Sequence, residues 1–473
     1  MVQPSRSPRR KTVSGPAAVP IRTMSHDLPV SDELAAFMGA GWAPVPPPSG
    51  STRSPLADAT AARRTRLSAR FPGERLIVPA GTAKVRSNDC DFRFRPHSAY
   101  AWLTGLTGED QAGHVLVLEP DGPHGHQAVL YVRPRPPRSA GSSAFYRDRR
   151  HGEFWVGRSP DPAETERATG IHCAPLEADA ALPPGRDATG DGELAAVLSE
   201  LRLVKDAWEV GQLQQAVDHT AAGFEDVVRA LPRALAHPRG ERWIEGVFGL
   251  RARAEGNGTG YETIAASGAH ACVLHWTRND GRLNPRDLLL LDAGVETDTL
   301  YTADVTRTLP LSGRFSPVQR QVYELVLAAQ DAGIAALKPG ASFRDFHRAG
   351  MRVIAEGLTD WGVLRTPDGD LHRRYTLCSS GHMLGLDVHD CAQARADAYL
   401  DGVLEEGQVL TVEPGLYLQP DDETLPPALR GIGVRIEDDL VITANGARLM
   451  SGALPRTPDA IEAWMDELGA AAG

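Results

Sequence analysis

The sequence predicts an α/β domain followed by a larger α+β domain, with a tail in front of both. Three observations carry this reading. A chain of 473 residues has room for two or three domains at roughly 150 residues each. Short aliphatic runs alternate with turn-rich polar stretches as far as Gly190. Beyond that point helix-period segments are interleaved with strand-like runs that carry acids in apolar surroundings.

Composition removes several function classes. Hydrophobic residues make up 42% and charged residues 23%, close to soluble averages, and no apolar run approaches the ~20 residues that cross a bilayer. A membrane span is excluded. The net charge of -11 repels polyanions, so nucleic acid is not an expected partner. Five cysteines, Cys90, Cys173, Cys272, Cys378 and Cys391, are odd in number and form no C-x2-C pair. They predict neither a disulfide framework nor a zinc ribbon, and a reducing cytoplasm fits them best.

Residues 1–56 read as a disordered tail. Ser5 to Lys11 is basic and serine-rich, and Pro44, Pro46, Pro47 and Pro48 run into Ser49-Gly50-Ser51, a composition that cannot bury enough apolar surface to offset its ordering entropy. Arg9-Arg10 is followed by no continuous apolar stretch, so export is not expected. Residues 57–198 read as the α/β domain. Arg75 to Pro79, His114 to Glu119 and Gln127 to Val132 are strand-like, the last two joined by the turn-rich Asp121 to Gly125. Tyr100-Ala101-Trp102-Leu103-Thr104-Gly105 reads as a further strand with packed aromatics.

Leu182 to Gly192 forms a Gly/Asp/Pro-rich link to residues 199–473. There Asp206 and Glu209 make a capping-box start, and Val210, Leu213, Val217, Ala221, Phe224 and Val228 recur at helical spacing. Ser316-Pro317 with Gln319 opens a second helix that stops at Lys338-Pro339-Gly340, and a third begins near Ser342. Strands are expected over 287–292, 302–309, 408–418 and 433–442 in a mostly antiparallel sheet.

The chemistry lies in those strands. Asp292 ends the run Leu288 to Leu291, and a carboxylate there needs a cation or several hydrogen bonds. Folding the chain about Glu296 to Leu300 brings Asp304 opposite Asp292. Glu413, held extended by Pro414, and Glu437 sit in two further apolar runs, and His382 lies in Gly381-His382-Met383. Four carboxylates and one imidazole form a mainly oxygen ligand set whose charge balances two divalent ions, with manganese suited to it. Each acid alone also reads as a cap or as an ion-pair member, with Arg435 or Arg307 as partner. Jointly they point to a dinuclear hydrolytic site, since each bland explanation needs its own separate partner. His275 and His389 could hydrogen-bond a substrate carbonyl or a tetrahedral intermediate, although each taken alone reads more readily as a structural histidine. Arg435, two residues before Glu437, either orients the site or pairs with its carboxylates.

The segments DAG at Asp292, TADVTRTLP at Asp304, GHMLGLDVHD at His382, TVEPGLYL at Glu413 and GIGVRIEDDLVIT at Glu437 resemble the pita-bread metallopeptidases, and among them the aminopeptidase P (Xaa-Pro aminopeptidase) family. The likeness runs from about residue 60 to 465 and is looser in the N-terminal part, where SAYAWLTGLT carries it. It implies a creatinase-like α/β N-terminal domain, a pita-bread catalytic domain and two manganese ions. By motif, Asp292 would bind one ion, Asp304 and Glu437 would bridge both, and His382 and Glu413 would complete the set. A hydroxide activated by the metals would attack the carbonyl before a penultimate proline, with Glu413 as proton shuttle. His275 and His389 would contact substrate and intermediate. The partners implied are peptides with proline at the second position and further copies of the chain, as a dimer or tetramer. Prolidase, which prefers Xaa-Pro dipeptides, and a non-enzymatic pita-bread binding module are the rival functions. Two departures from the family stand out. Eleven residues separate Asp292 from Asp304 where the family has ten, and Cys378 stands where a pocket-lining histidine is common.

Overall fold

In a computed structural model of the chain, residues 28–43 and 53–471 are described, apart from 124, 134–135, 137, 139–142, 177–181 and 183. Most of the expected tail, including Arg9-Arg10 and the proline run, lies outside them. Part of that tail is nonetheless helical: α1 (Asp32–Met38) is capped by Ser31, whose side chain accepts from the Leu34 amide, and it buries no residue. Contacts divide the chain into two compact units at Val197 and Leu198.

The first unit holds a five-stranded mixed sheet. Its strands are β1 (Leu76–Pro79), β2 (Val115–Asp121), β3 (Gly125–Val132), β4 (His172–Pro175) and β5 (Arg186–Asp187), in spatial order β4-β3-β2-β1-β5. The expected hairpin is β2 with β3, paired from Val115 and Tyr131 to Asp121 and Gly125. Two readings need correction. β5 lies inside the stretch read as a link, and it adds parallel to β1; two residues among glycines and prolines leave no periodicity to detect. The segment 98–104 is a helix rather than a strand, α3 (Ser98–Thr104), which follows α2 (Ala57–Ser68). All seven of its residues are buried, so no polar face marks a helical period, and its aromatics mimic strand propensity. Gly105 closes it at φ 74.

The second unit is built on two helix pairs. α4 (Ala207–Ala236) carries the Asp206/Glu209 capping box and packs on α5 (Gly240–Glu255). α6 (Pro317–Ala336) carries the Ser316/Gln319 box and packs on α7 (Arg344–Asp360). Phe224 and Phe248 from the first pair and Val322, Val326 and Ile354 from the second share one core with Leu289, Leu291, Val305 and Leu309. Those last four belong to an antiparallel sheet of β6 (Ile264–Ser267), β7 (Leu288–Ala293) and β8 (Val305–Pro310).

The two later strand regions each break in the middle. The first gives β9 (Val409–Val412) and β10 (Gly415–Leu418); the second gives β11 (Ile432–Arg435) and β12 (Asp438–Thr443). β12 pairs with β9 and with β13 (Gly446–Leu449), whereas β11 pairs with β10. Pro414, with no amide hydrogen, interrupts the ladder, and the chain turns a corner there from one sheet to the other. Val412 pairs with Asp438 and Gly415 with Arg435. Counting inward from both ends, Glu413 falls level with Glu437, so the two corners coincide.

Candidate metal centre

The β7–β8 hairpin supplies the two aspartates in a register that differs from the expected one. Asp292 pairs with Thr306 and Ala293 with Val305, which sets Asp304 level with Gly294 rather than Asp292. The offset exists because the ladder continues without a slip to Glu296 and Thr302. The turn beyond absorbs the odd residue count, with Leu300 at φ 71. Gly294 is required by close approach: a Cβ there would lie 1.7 Å from the Ala303 carbonyl oxygen.

The aspartates still meet. The Tyr261 hydroxyl lies 2.6 Å from Asp292 Oδ1 and also bonds Asp304 Oδ1. His382 comes from a segment laid against β9, where its carbonyl accepts from the Thr411 amide and its own amide donates to Thr411 Oγ1. Its Nε2 is 3.3 Å from Asp304 and 3.4 Å from Glu413. At the other corner the Glu437 amide donates to the Thr306 carbonyl, and Thr306 Oγ1 donates to Glu437 Oε2 at 2.7 Å. Asp304, His382 and Glu437 each offer a ligand atom, all within 4.8 Å of one another. All five residues with the expected metal chemistry are thus brought into one buried space.

Arginines sort into two roles. Arg435 is 4% exposed; it pairs with Asp292 at 2.5 Å, donates from Nε to Thr306 Oγ1, and reaches the Tyr417 hydroxyl. Arg307, also buried, turns away from the carboxylate cluster. It donates to the Glu437 carbonyl at 2.6 Å and pairs with Asp438 at 2.7 Å, so it holds the Glu437 corner from behind. His389 is exposed, with its ring at 4.5 Å and edge-on to the His382 ring. Burial of part of the ring, then the His382 and His275 charges, lower its pKa. His275 is exposed as well. Cys378 is exposed too, its thiol pushed up by partial burial and by the Glu413 charge.

Electrostatics show what the cluster lacks. Burial first, and then mutual repulsion, raises Glu413 to about 7 and Glu437 well above the carboxylate range. Burial raises Asp292 too, against the pull of Arg435. His382 is held near 9 because Asp304 and Glu413 outweigh its burial. Tyr261 is raised well above 10 by burial and by the Asp292 and Asp304 charges, so it keeps its proton; one hydroxyl hydrogen satisfies one carboxylate at a time. Glu437 Oε1 and Asp439 Oδ1 are buried with no hydrogen-bond partner among the described residues. A surplus of buried carboxylate oxygens facing one histidine suits divalent cations, and the five residues fit such ions.

Two contributors escaped the sequence reading. Tyr261 stands alone after Gly260 with no pattern around it. Asp439, whose Oδ2 accepts the Asp304 amide at 3.1 Å, carries the same signal as Asp304, an acid within an apolar run, and that rule would have found it.

An acid-rich centre at the corner of paired antiparallel sheets, backed by two helix pairs, defines a pita-bread metallopeptidase. The family model described as "Metallopeptidase family M24" matches residues 211–444, and "Aminopeptidase P, N-terminal domain" matches 60–181. The chain belongs to the aminopeptidase P family of M24 metallopeptidases, and it is a metallo-aminopeptidase. It is 52% identical over 468 residues to Xaa-Pro aminopeptidase 1 of Streptomyces coelicolor, covering 93% of each chain. Among solved structures it resembles Pseudomonas aeruginosa aminopeptidase PepP, with 31% identity, a TM-score of 0.73, and coverage of 88% of this chain and 99% of that one. Escherichia coli aminopeptidase P with the inhibitor Pro-Leu is similar at 28% identity and a TM-score of 0.75, with the same coverage.

Proposed function

We propose that the chain hydrolyses the bond between an N-terminal residue and a penultimate proline, using two divalent ions held by Asp292, Asp304, His382, Glu413 and Glu437. The observation that carries this is the convergence of those five side chains, from four separate segments, on one buried space with an excess of acid. Relatives named Xaa-Pro aminopeptidase at 52% identity over nearly the whole chain support the substrate class. Manganese is the ion we assign, because the donors are mainly oxygen with one imidazole.

When bound, the ions would polarise the scissile carbonyl and bring the pKa of a water toward about 7. The chain's own groups do the rest. Glu413 takes a proton from the attacking water and passes it to the departing proline nitrogen as the C–N bond breaks. His389, exposed beside the His382 ring, donates an N–H to the oxygen that gains charge. His275 contacts the substrate. Arg435 fixes Asp292, and Thr306 links that pair to Glu437.

The rest of the proposal concerns setting. The five cysteines are all free, which supports a reducing cytoplasm. No helix among the described residues is long and apolar enough to cross a membrane. A homo-oligomer is part of the same reading. The test is a peptide panel with added manganese. Release of the first residue from an Xaa-Pro-Yaa tripeptide is expected, cleavage of Xaa-Pro dipeptides alone would make the chain a prolidase, and no cleavage of either would overturn the reading.

A further inference from the structure

His389 lies outside every helix and strand, yet the residue after it is among the most firmly held in the second unit. Asp390 is 1% exposed, and both its oxygens meet buried cations. Lys205 Nζ donates to Oδ2 at 2.9 Å, and Arg202 donates to Oδ1. A second bond from Arg202 reaches Asp387 at 2.7 Å, so one guanidinium ties two points of the loop. The Lys205 amide donates to the Gly407 carbonyl, and Val204 bridges to Gln408 just before β9. The clamp is thereby fastened to the strand that leads into Glu413.

The loop is closed from its other side as well. The Asp390 amide donates to the Met383 carbonyl at 2.9 Å, which brings His389 back beside His382. Gly385 lies under the carboxylate, where a Cβ would stand 2.2 Å from Asp390 Oδ2. Cys391 then takes φ 59, a conformation costly for a residue with a side chain. A buried ion cluster of this kind roughly breaks even against apolar packing of equal volume. What the charges add is direction, a two-point hold on one carboxylate.

We propose that the Arg202–Asp390–Lys205 cluster is a positioning device for His389, setting the imidazole against the reacting group. This rests on the role given to His389 above. Asp390 touches no substrate in this scheme; it acts through its neighbour. Misplacement of a catalytic group by about 1 Å can cost on the order of 100-fold in rate, which sets the size of the expected effect.

The test uses the full-length, manganese-loaded enzyme on an Xaa-Pro-Yaa tripeptide. Asp390→Asn is expected to lower kcat about 10- to 100-fold, with KM within about threefold and metal content equal to wild type. Combined with His389→Ala, it should add no further loss, because a residue that acts through another has nothing left to position. In the ring-carbon NMR spectrum of zinc-loaded protein, whose diamagnetic ion leaves nearby signals visible, the His389 signal, identified by its disappearance in His389→Ala, should broaden or shift in Asp390→Asn. Losses that multiply in the double variant, or an unchanged signal with wild-type kcat, would overturn the proposal. If Asp390→Asn does not fold, Arg202→Gln, which leaves Lys205 on Asp390, enters the same cycle. Should wild type fail to cleave the tripeptide, the substrate reading falls while the NMR comparison still decides this one.

Discussion

Arg435 and Asp292 form a buried ion pair, with Nη2 to Oδ2 at 2.5 Å, and the same guanidinium reaches Thr306 and Tyr417. A carboxylate that also faces Asp304 needs this partner most when no cation is bound. Arg435→Ala is therefore expected to destabilise metal-stripped protein by about 3–5 kcal/mol, the usual result of leaving one member of a buried pair alone. Metal-loaded protein should lose clearly less, and Arg435→Lys, which keeps the charge but not the fork, should fall between. Urea unfolding with and without chelator measures the difference; an equal loss in both conditions would refute the pairing argument.

Glu413 and His382 give a pH dependence for the metal-stripped protein. A carboxyl raised to about 7 binds a proton in the folded state that the unfolded chain has released, so stability falls as pH rises from the ordinary carboxylate range through 7. His382, raised to about 9, contributes fully below the ordinary histidine range and loses that contribution as pH climbs through 9. Both act in one direction. Calorimetry in chelator should show a lower Tm at pH 8.5 than at pH 5.5, and added manganese should recover the loss at the higher pH with release of protons. A Tm that rises with pH across this window would contradict the electrostatics.

Gly294 is where the hairpin bearing both aspartates has no room. A methyl group would clash with the Ala303 carbonyl and approach the Tyr261 ring at 3.1 Å. Gly294→Ala should cost about 3 kcal/mol and reduce metal content, because Asp292, Tyr261 and Asp304 shift together. Gly246→Ala, in α5 with open space around it, is the control and should be neutral or slightly stabilising. Matching behaviour of the two variants would show that the close approach does not matter.

Much of this centre was legible in the sequence because burial makes charge conspicuous. Asp292, Asp304, Glu413 and Glu437 each interrupt apolar runs, and His382 adds one imidazole to the set. Capping boxes at Asp206 and Ser316 were legible for a similar reason, since two short-range bonds leave a fixed spacing. Register was harder. Whether Asp304 faces Asp292 or Gly294 depends on the turn, and Leu300 in a left-handed conformation carries no turn signal. The corners at Glu413 and Glu437 were hidden because both sides of each break are equally apolar, so one strand and two look alike. Tyr261 could not be read at all: a single tyrosine acquires its role only when β6 and β7 bring it over the two aspartates.

Elemental analysis of purified protein decides whether these side chains grip cations. Wild type should carry about two divalent ions per chain, Asp304→Ala and Glu437→Ala should lose metal together with activity, and His389→Ala should keep its metal while turnover drops. Equal metal content in wild type and in both of the first two variants, or none in any, would contradict the assignment of this centre.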